Sequence, residues 1–198
     1  MSRSKARPCV DSAWHASKWH AETMKLEDLW EYRGQKRPDF AETPGPGQES
    51  VWDYPRPPRI EVDRRRVEVK SGGLLIASTK AALRVLETAS PPTFYIPRAA
   101  IDLTLLVRVP GQSMCEWKGM AGYWALAGDR SRRAVGWSYE QPLAQFSAIA
   151  GALSFYPALL ECRIGGERVR PQPGGFYGGW LTDEIAGPVK GGPGAGHW

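Results

Sequence analysis

Cysteine is scarce in this chain: Cys9, Cys115 and Cys162 are the only three among 198 residues. An odd, widely spaced set is a poor disulfide framework, and no C-x-x-C pair offers a zinc site. Reduced thiols and a cytoplasmic location are the expectation. No apolar run reaches membrane-spanning length, and the opening segment MSRSKARPCV lacks the apolar stretch of a secretory leader. Histidine is equally rare. His15, His20 and His197 lie towards the two ends, and the five-residue step between the first two suits no shared helical face, so no metal site is expected. The chain also lacks a G-x-S-x-G elbow, a G-x-x-x-x-G-K-[ST] loop and an H-E-x-x-H motif. No D-x-D occurs, so metal-dependent nucleotidyl transfer would need Asp53, Asp63, Glu87 and Asp102 to converge from separate segments.

Proline, glycine and tryptophan are plentiful instead, at 17, 22 and 9 residues. That much proline and glycine breaks long helices and favours short strands joined by turns. With 42% hydrophobic and 24% charged residues, a packed core is feasible. The clearest linker is Arg37 to Gln48, which holds Pro38, Pro44, Gly45, Pro46 and Gly47. It divides a partly helical extension, residues 1–47, from a single domain, residues 48–198. A helix is expected from Asp11 to Arg33, capped by Asp11 or Ser12 and ended by Gly34. Trp14, Trp19 and Trp30 give the extension rings with which to dock on the domain or on a second subunit.

Within the domain, Arg65 to Lys70 alternates as a half-buried strand does, and Ser71-Gly72-Gly73 turns the chain into Leu74 to Ser78. Thr79 can cap a short helix over Lys80 to Glu87. Strands are expected at Thr93 to Ile96, Asp102 to Val109, Gly122 to Ala127, Arg133 to Tyr139, Leu153 to Tyr156, Leu159 to Ile164 and Glu167 to Arg170. A loop passes through Gly111 and Gln112, and Ala144 to Ala152 reads as a short buried helix. Phe176, Tyr177 and Trp180 are expected to anchor the glycine-rich tail. Many short strands with few helices predict a mainly β architecture.

The net charge is +5 and the pI about 9.2, which suits an anionic ligand. Basic residues are scattered, and no zinc-finger or RRM-like signature accompanies them, which tells against nucleic acid.

Several segments carry a resemblance. They include Glu49 to Pro58 (ESVWDYPRPP), Arg84 to Thr88 (RVLET), Tyr95 to Arg98 (YIPR) and Cys115 to Gly119 (CEWKG) with Tyr123-Trp124. Trp137 to Tyr139 (WSY), Ile149 to Gly151 (IAG), Phe155 to Pro157 (FYP) and Phe176 to Trp180 (FYGGW) follow in order. Together they resemble the uncharacterised domain family numbered 427. The resemblance implies compact, curved antiparallel sheets of the Mss4-like, or β-tent, kind, here without the zinc knuckles its relatives often carry. A nucleotidyltransferase label is sometimes attached to the family. A covalent lysyl-nucleotide route would look for an acidic residue two positions after Lys118, where this chain has Met120.

The candidate chemistry centres on Cys115, Trp117 and Lys118, with Gly119 allowing a tight turn. Lys118 could hold an anion, or act as a nucleophile if burial lowered its pKa. Cys115 could be nucleophilic beside that cation, and Trp117 could stack on a planar ligand. The plain alternative is a structural turn with Lys118 in water. Arg84 and Glu87, three apart on the expected helix, could pair, orienting Arg84 towards an anion or leaving Glu87 as a general base. Trp52, Tyr54 and Arg56 before Pro57-Pro58 could strap a pocket or pin the extension to the core. Tyr95 and Arg98 carry the same two readings. Tyr123 should point opposite to Trp124, one to a pocket and one to the core. The sequence thus predicts a small-molecule pocket of cations (Arg56, Arg84, Arg98, Lys118) and rings (Trp52, Tyr95, Trp117, Tyr123), with Lys118, Cys115 and Glu87 as candidate catalysts. The cofactor is unknown. The alternative is a non-catalytic recognition module.

Overall fold

The computed structural model describes residues 30–195. In chain order it forms β1 (Glu49–Ser50), β2 (Arg59–Asp63), β3 (Val67–Ser71), β4 (Leu74–Thr79), β5 (Ala82–Leu86), β6 (Thr93–Tyr95), β7 (Leu106–Cys115) and β8 (Gly119–Leu126). These are followed by β9 (Ala134–Ser138), β10 (Leu153–Phe155), β11 (Glu161–Ile164), β12 (Glu167–Arg168), β13 (Arg170–Pro171), β14 (Trp180–Leu181) and β15 (Ile185–Ala186). The mainly β class follows. The strands sort into sheets ordered β10-β9-β8-β7, β12-β11-β3-β4 and β2-β5-β6, with pairs β1-β15 and β13-β14. None closes into a barrel.

Local chemistry accounts for much of this. Gly72 and Gly73 take φ of 55° and 85°, the left-handed geometry that a two-residue hairpin turn requires. Gly119, at φ 93°, starts β8 opposite Cys115 and closes the turn through Glu116, Trp117 and Lys118. β7 runs on past the expected loop at Gly111-Gln112. The pairing with β8 shifts register between Val109 and Gln112, so Pro110 and Gly111 form a bulge and the strand resumes. Asp102 opens a single 3-10 turn, Leu103–Leu105, by accepting from the Thr104 N–H at 3.0 Å. The expected helix at Ala144 to Ala152 is the shorter 3-10 segment Ala144–Ile149, which buries Phe146 and Ile149.

The helix expected over Lys80 to Glu87 is instead β5, the central strand of its sheet. Ala, Leu and Arg favour a helix in isolation, but β2 and β6 bond to β5 on both edges, and tertiary pairing outweighs so small a preference. β2 was not foreseen, although Arg-Ile-Glu-Val-Asp alternates. Of the helix expected from Asp11 to Arg33, all but the last four positions lie outside the described residues. Trp30 to Arg33 are not helical. Cys9, Trp14, His15, Trp19, His20 and His197 also lie outside them. Among the described residues no helix is long and apolar enough to cross a membrane.

Three clusters of buried side chains fill the interior. The largest joins β3, β4, β10 and β11 around Phe94, Phe155 and Trp180. A second gathers Tyr95, Trp117, Trp137, Tyr139 and Phe146. The third holds Trp52, Tyr54 and Leu86. Trp180 is fully buried, stacks on Phe94 at 5.1 Å and donates its indole N–H to the Phe155 carbonyl at 3.0 Å. Phe176, expected as a companion anchor, is 72% exposed. Trp180→Ala should therefore cost about 3–5 kcal/mol and Phe176→Ala under about 0.5 kcal/mol, read as midpoint shifts in urea unfolding.

Candidate functional site

The second core cluster does not close completely. Between the β7–β10 sheet and the C-terminal segment lies a cleft of about 270 Å³. Its floor follows from strand register. Tyr123 on β8 pairs directly with Trp137 on β9, so both rings face the same side. The next residue, Trp124, points the other way into the main core, as alternation requires. Tyr95 ends β6, Tyr139 follows β9 and Tyr156 follows β10, and all three reach the same hollow. Trp137 contacts Tyr156 at 4.6 Å and Tyr95 at 6.4 Å between ring centroids.

Charge enters at the other end. Lys118, in the β7–β8 turn, is only 8% exposed, and its Nζ stands 4.0 Å from Glu87 Oε2. Glu87 also pairs with Arg56 at 3.5 Å. Burial disfavours the Lys118 ammonium, but Tyr95, Cys115 and Glu87 together outweigh it and raise its pKa. That direction is opposite to the lowered pKa that a nucleophilic lysine needs. Cys115 neighbours Lys118 and Tyr139 in the lining of the cleft. Burial raises the phenol pKa of Tyr95 and of Tyr139, and pushes that of Tyr156 up to about 12. These hydroxyls stay protonated near neutrality.

A second ammonium, Lys190, comes from the C-terminal segment. Burial lowers its pKa, and the Arg56 charge adds to that effect. It sits 5.4 Å from the Trp30 ring and 5.7 Å from that of Tyr177. Gln172 sets its place, donating to the Lys190 carbonyl at 2.8 Å while its own carbonyl accepts from the Gly179 N–H at 3.0 Å. Sequence reasoning did not single out Lys190 or Gln172. Their only sequence signal is a polar residue within a glycine-rich tail, which looks like an ordinary loop. Trp137 and Tyr139 pack in the second core cluster and line the cleft at once.

Six of the predicted site residues meet here: Glu87, Tyr95, Cys115, Trp117, Lys118 and Tyr123. Trp117 shows little of its indole, being 4% exposed. Arg56 stands just behind the wall, covered by Trp30 at 4.1 Å and donating to the Thr88 carbonyl at 2.9 Å. The other three lie elsewhere. Trp52 is fully buried in the third core cluster against Tyr32 and Phe40, so the Trp52–Arg56 strap pins the segment before the domain. Arg84 and Glu87 do not pair, because residues three apart on a strand point to opposite faces. Arg84 binds Glu61 across the sheet at 2.7 Å, together with Glu49. Arg98 binds Glu140 at 2.8 Å and covers Trp124.

The carboxylates that nucleotidyl transfer would need are dispersed. Asp53 pairs with Arg37, Asp63 with Arg65, and Asp102 caps its turn. Among the described residues no three of His, Cys, Asp and Glu gather as a metal site.

Two outcomes follow. A Cβ at Gly178 would fall 2.1 Å from the Trp137 ring. Gly178→Ala should shift tryptophan emission and cost about 1–3 kcal/mol by overpacking, measured by fluorescence-monitored unfolding. Because the folded Lys118 pKa is raised above its ordinary 10.5, its charge contributes stability that is fully present below that pH. The contribution is lost as pH climbs through the folded value. The stability gap between the wild type and Lys118→Met should stay level from pH 7 to 10 and shrink above it, as followed by urea titrations across pH.

No curated protein matches the chain. A protein-family model does, over residues 59–166. That span holds Glu87, Tyr95, Cys115, Lys118 and Tyr123, while Trp30, Gln172, Tyr177 and Lys190 close the cleft from outside it. With more than half of its residues inside the match, the chain belongs to the family described as Domain of unknown function (DUF427).

Proposed function

We propose that this protein binds a small anionic molecule in the cleft between Tyr123, Trp137 and Lys190. The observation that carries the reading is the convergence of two ammonium groups, Lys118 and Lys190, on one aromatic-lined hollow. Arg56, behind the wall, adds a third positive charge against the carboxylates of Glu87 and Glu116. A half-enclosed site strengthens such charges relative to water. Ligand pockets commonly combine apolar walls with a few placed polar groups in this way. The curved-sheet architecture of the Mss4-like, or β-tent, kind belongs to the same proposal and is supported by the open antiparallel sheets. A cytoplasmic location is supported by Cys115 and Cys162, both unpaired thiols.

A second reading, in which the bound molecule is chemically altered, is favoured by one observation: Cys115, Lys118 and Tyr139 all line the same cleft. The dispersed acids give nucleotidyl transfer by two metal ions no comparable support. A recognition role without turnover needs only the cations and rings.

Thermal-shift and calorimetric titration with small carboxylates and phosphates tests the proposal. At least one anion should bind, more weakly at higher salt, and Lys190→Met should weaken it about tenfold. Failure of every anion to bind, or unchanged affinity in both Lys190→Met and Lys118→Met, would overturn it.

A further inference from the structure

The cleft brings together charged groups and rings. Charge narrows the choice. Arg56, Lys118 and Lys190 stand against Glu87 and Glu116, which leaves one positive charge in excess. A singly charged carboxylate balances that excess, whereas a dianionic phosphate overshoots it. Size narrows it again. A volume of about 270 Å³ lies just under the range of roughly 300–1,000 Å³ that holds drug-sized ligands.

The rest of the wall is flat and hydroxylated. Tyr123 donates its hydroxyl to Ser113 at 2.7 Å, which fixes its ring beside Trp137. The Tyr156 ring lies against Trp137 at an interplanar angle of 44°. Tyr123 and Tyr156 are half-buried, so both keep ring surface facing the hollow. Aromatic faces and edges so placed favour another ring over an alkyl chain.

Building on the anion-binding reading above, we infer that the occupant is a small aromatic monocarboxylate, its single ring against Tyr123, Trp137 and Tyr156 and its carboxylate between Lys118 and Lys190. Glu87 then serves as a positioning residue. It holds Lys118 and Arg56 in place, and it keeps the site's charge low enough to refuse multiply charged molecules.

Calorimetric titration of the full chain with benzoate, 4-hydroxybenzoate, phenylacetate, acetate, inorganic phosphate and phenol tests this. At least one aromatic carboxylate should bind about tenfold or more tighter than acetate, phosphate and phenol. Tyr156→Leu and Tyr123→Leu should each weaken that acid by about threefold to tenfold while leaving acetate unchanged. Lys190→Met should erase the preference for the acid over phenol, and it provides the test if a tyrosine variant does not fold. Acetate or phosphate binding as tightly as every aromatic acid would overturn the aromatic class and leave the anion site standing. Phenol matching the acids would overturn the carboxylate, and no anion binding at all would overturn both readings.

Discussion

Keeping a lysine charged while it is nearly enclosed is the constraint on which the candidate site depends. Removing an ammonium from water costs several kcal/mol unless opposite charge and hydrogen bonds offset it. For Lys118 the opposite charge near neutral pH is the Glu87 carboxylate at 4.0 Å, while Tyr95 and Cys115 stand beside it at the ends of two other strands. Glu87 can serve because it lies just past the end of β5, beyond the register in which Arg84 is committed to Glu61. Arg56 reaches Glu87 because the strap before β2 is pinned by Trp52. The ammonium is therefore positioned by the packing of the whole domain.

The aromatic residues do two jobs at once. Trp137 and Tyr139 pack against Tyr95, Phe146 and Ile149 as part of the interior, yet also form the cleft lining. A wall built this way is rigid, since each ring is fixed by neighbours on the side away from the hollow. Gly178 shows how closely the outer segment comes down on it: no Cβ fits there beside the Trp137 indole. The strap from Gln172 to Trp180 is held at both ends, by the Gln172 hydrogen bonds and by the buried Trp180. Lys190 inherits its place from that restraint.

The extent of the family match bears on this division. Residues 59–166 contain the floor of the cleft and Lys118. The covering groups, Trp30, Gln172, Tyr177 and Lys190, come from either side of that span. Trp30 belongs to the extension and rests on Arg56 at 4.1 Å, so the end of the extension packs on the domain beside the cleft.

Alternation, turn glycines and proline density were enough to determine the mainly β class, the β3–β4 hairpin, the tight turn ending at Gly119 and the opposed directions of Tyr123 and Trp124. Each depends on neighbours along the chain. The segment Cys115 to Lys118 also stood out, because a thiol, an indole and an ammonium side by side are chemically conspicuous. Only the tertiary structure decided that Lys80 to Glu87 contains a strand, since its helix-favouring composition yields to pairing with β2 and β6 on its two edges. It also decided that Arg84, Arg98 and Trp52 are occupied by other contacts, and that Lys190 completes the site. The physical reason is the same in each case: a charge or ring takes its role from the groups that surround it, and those arrive from distant parts of the chain.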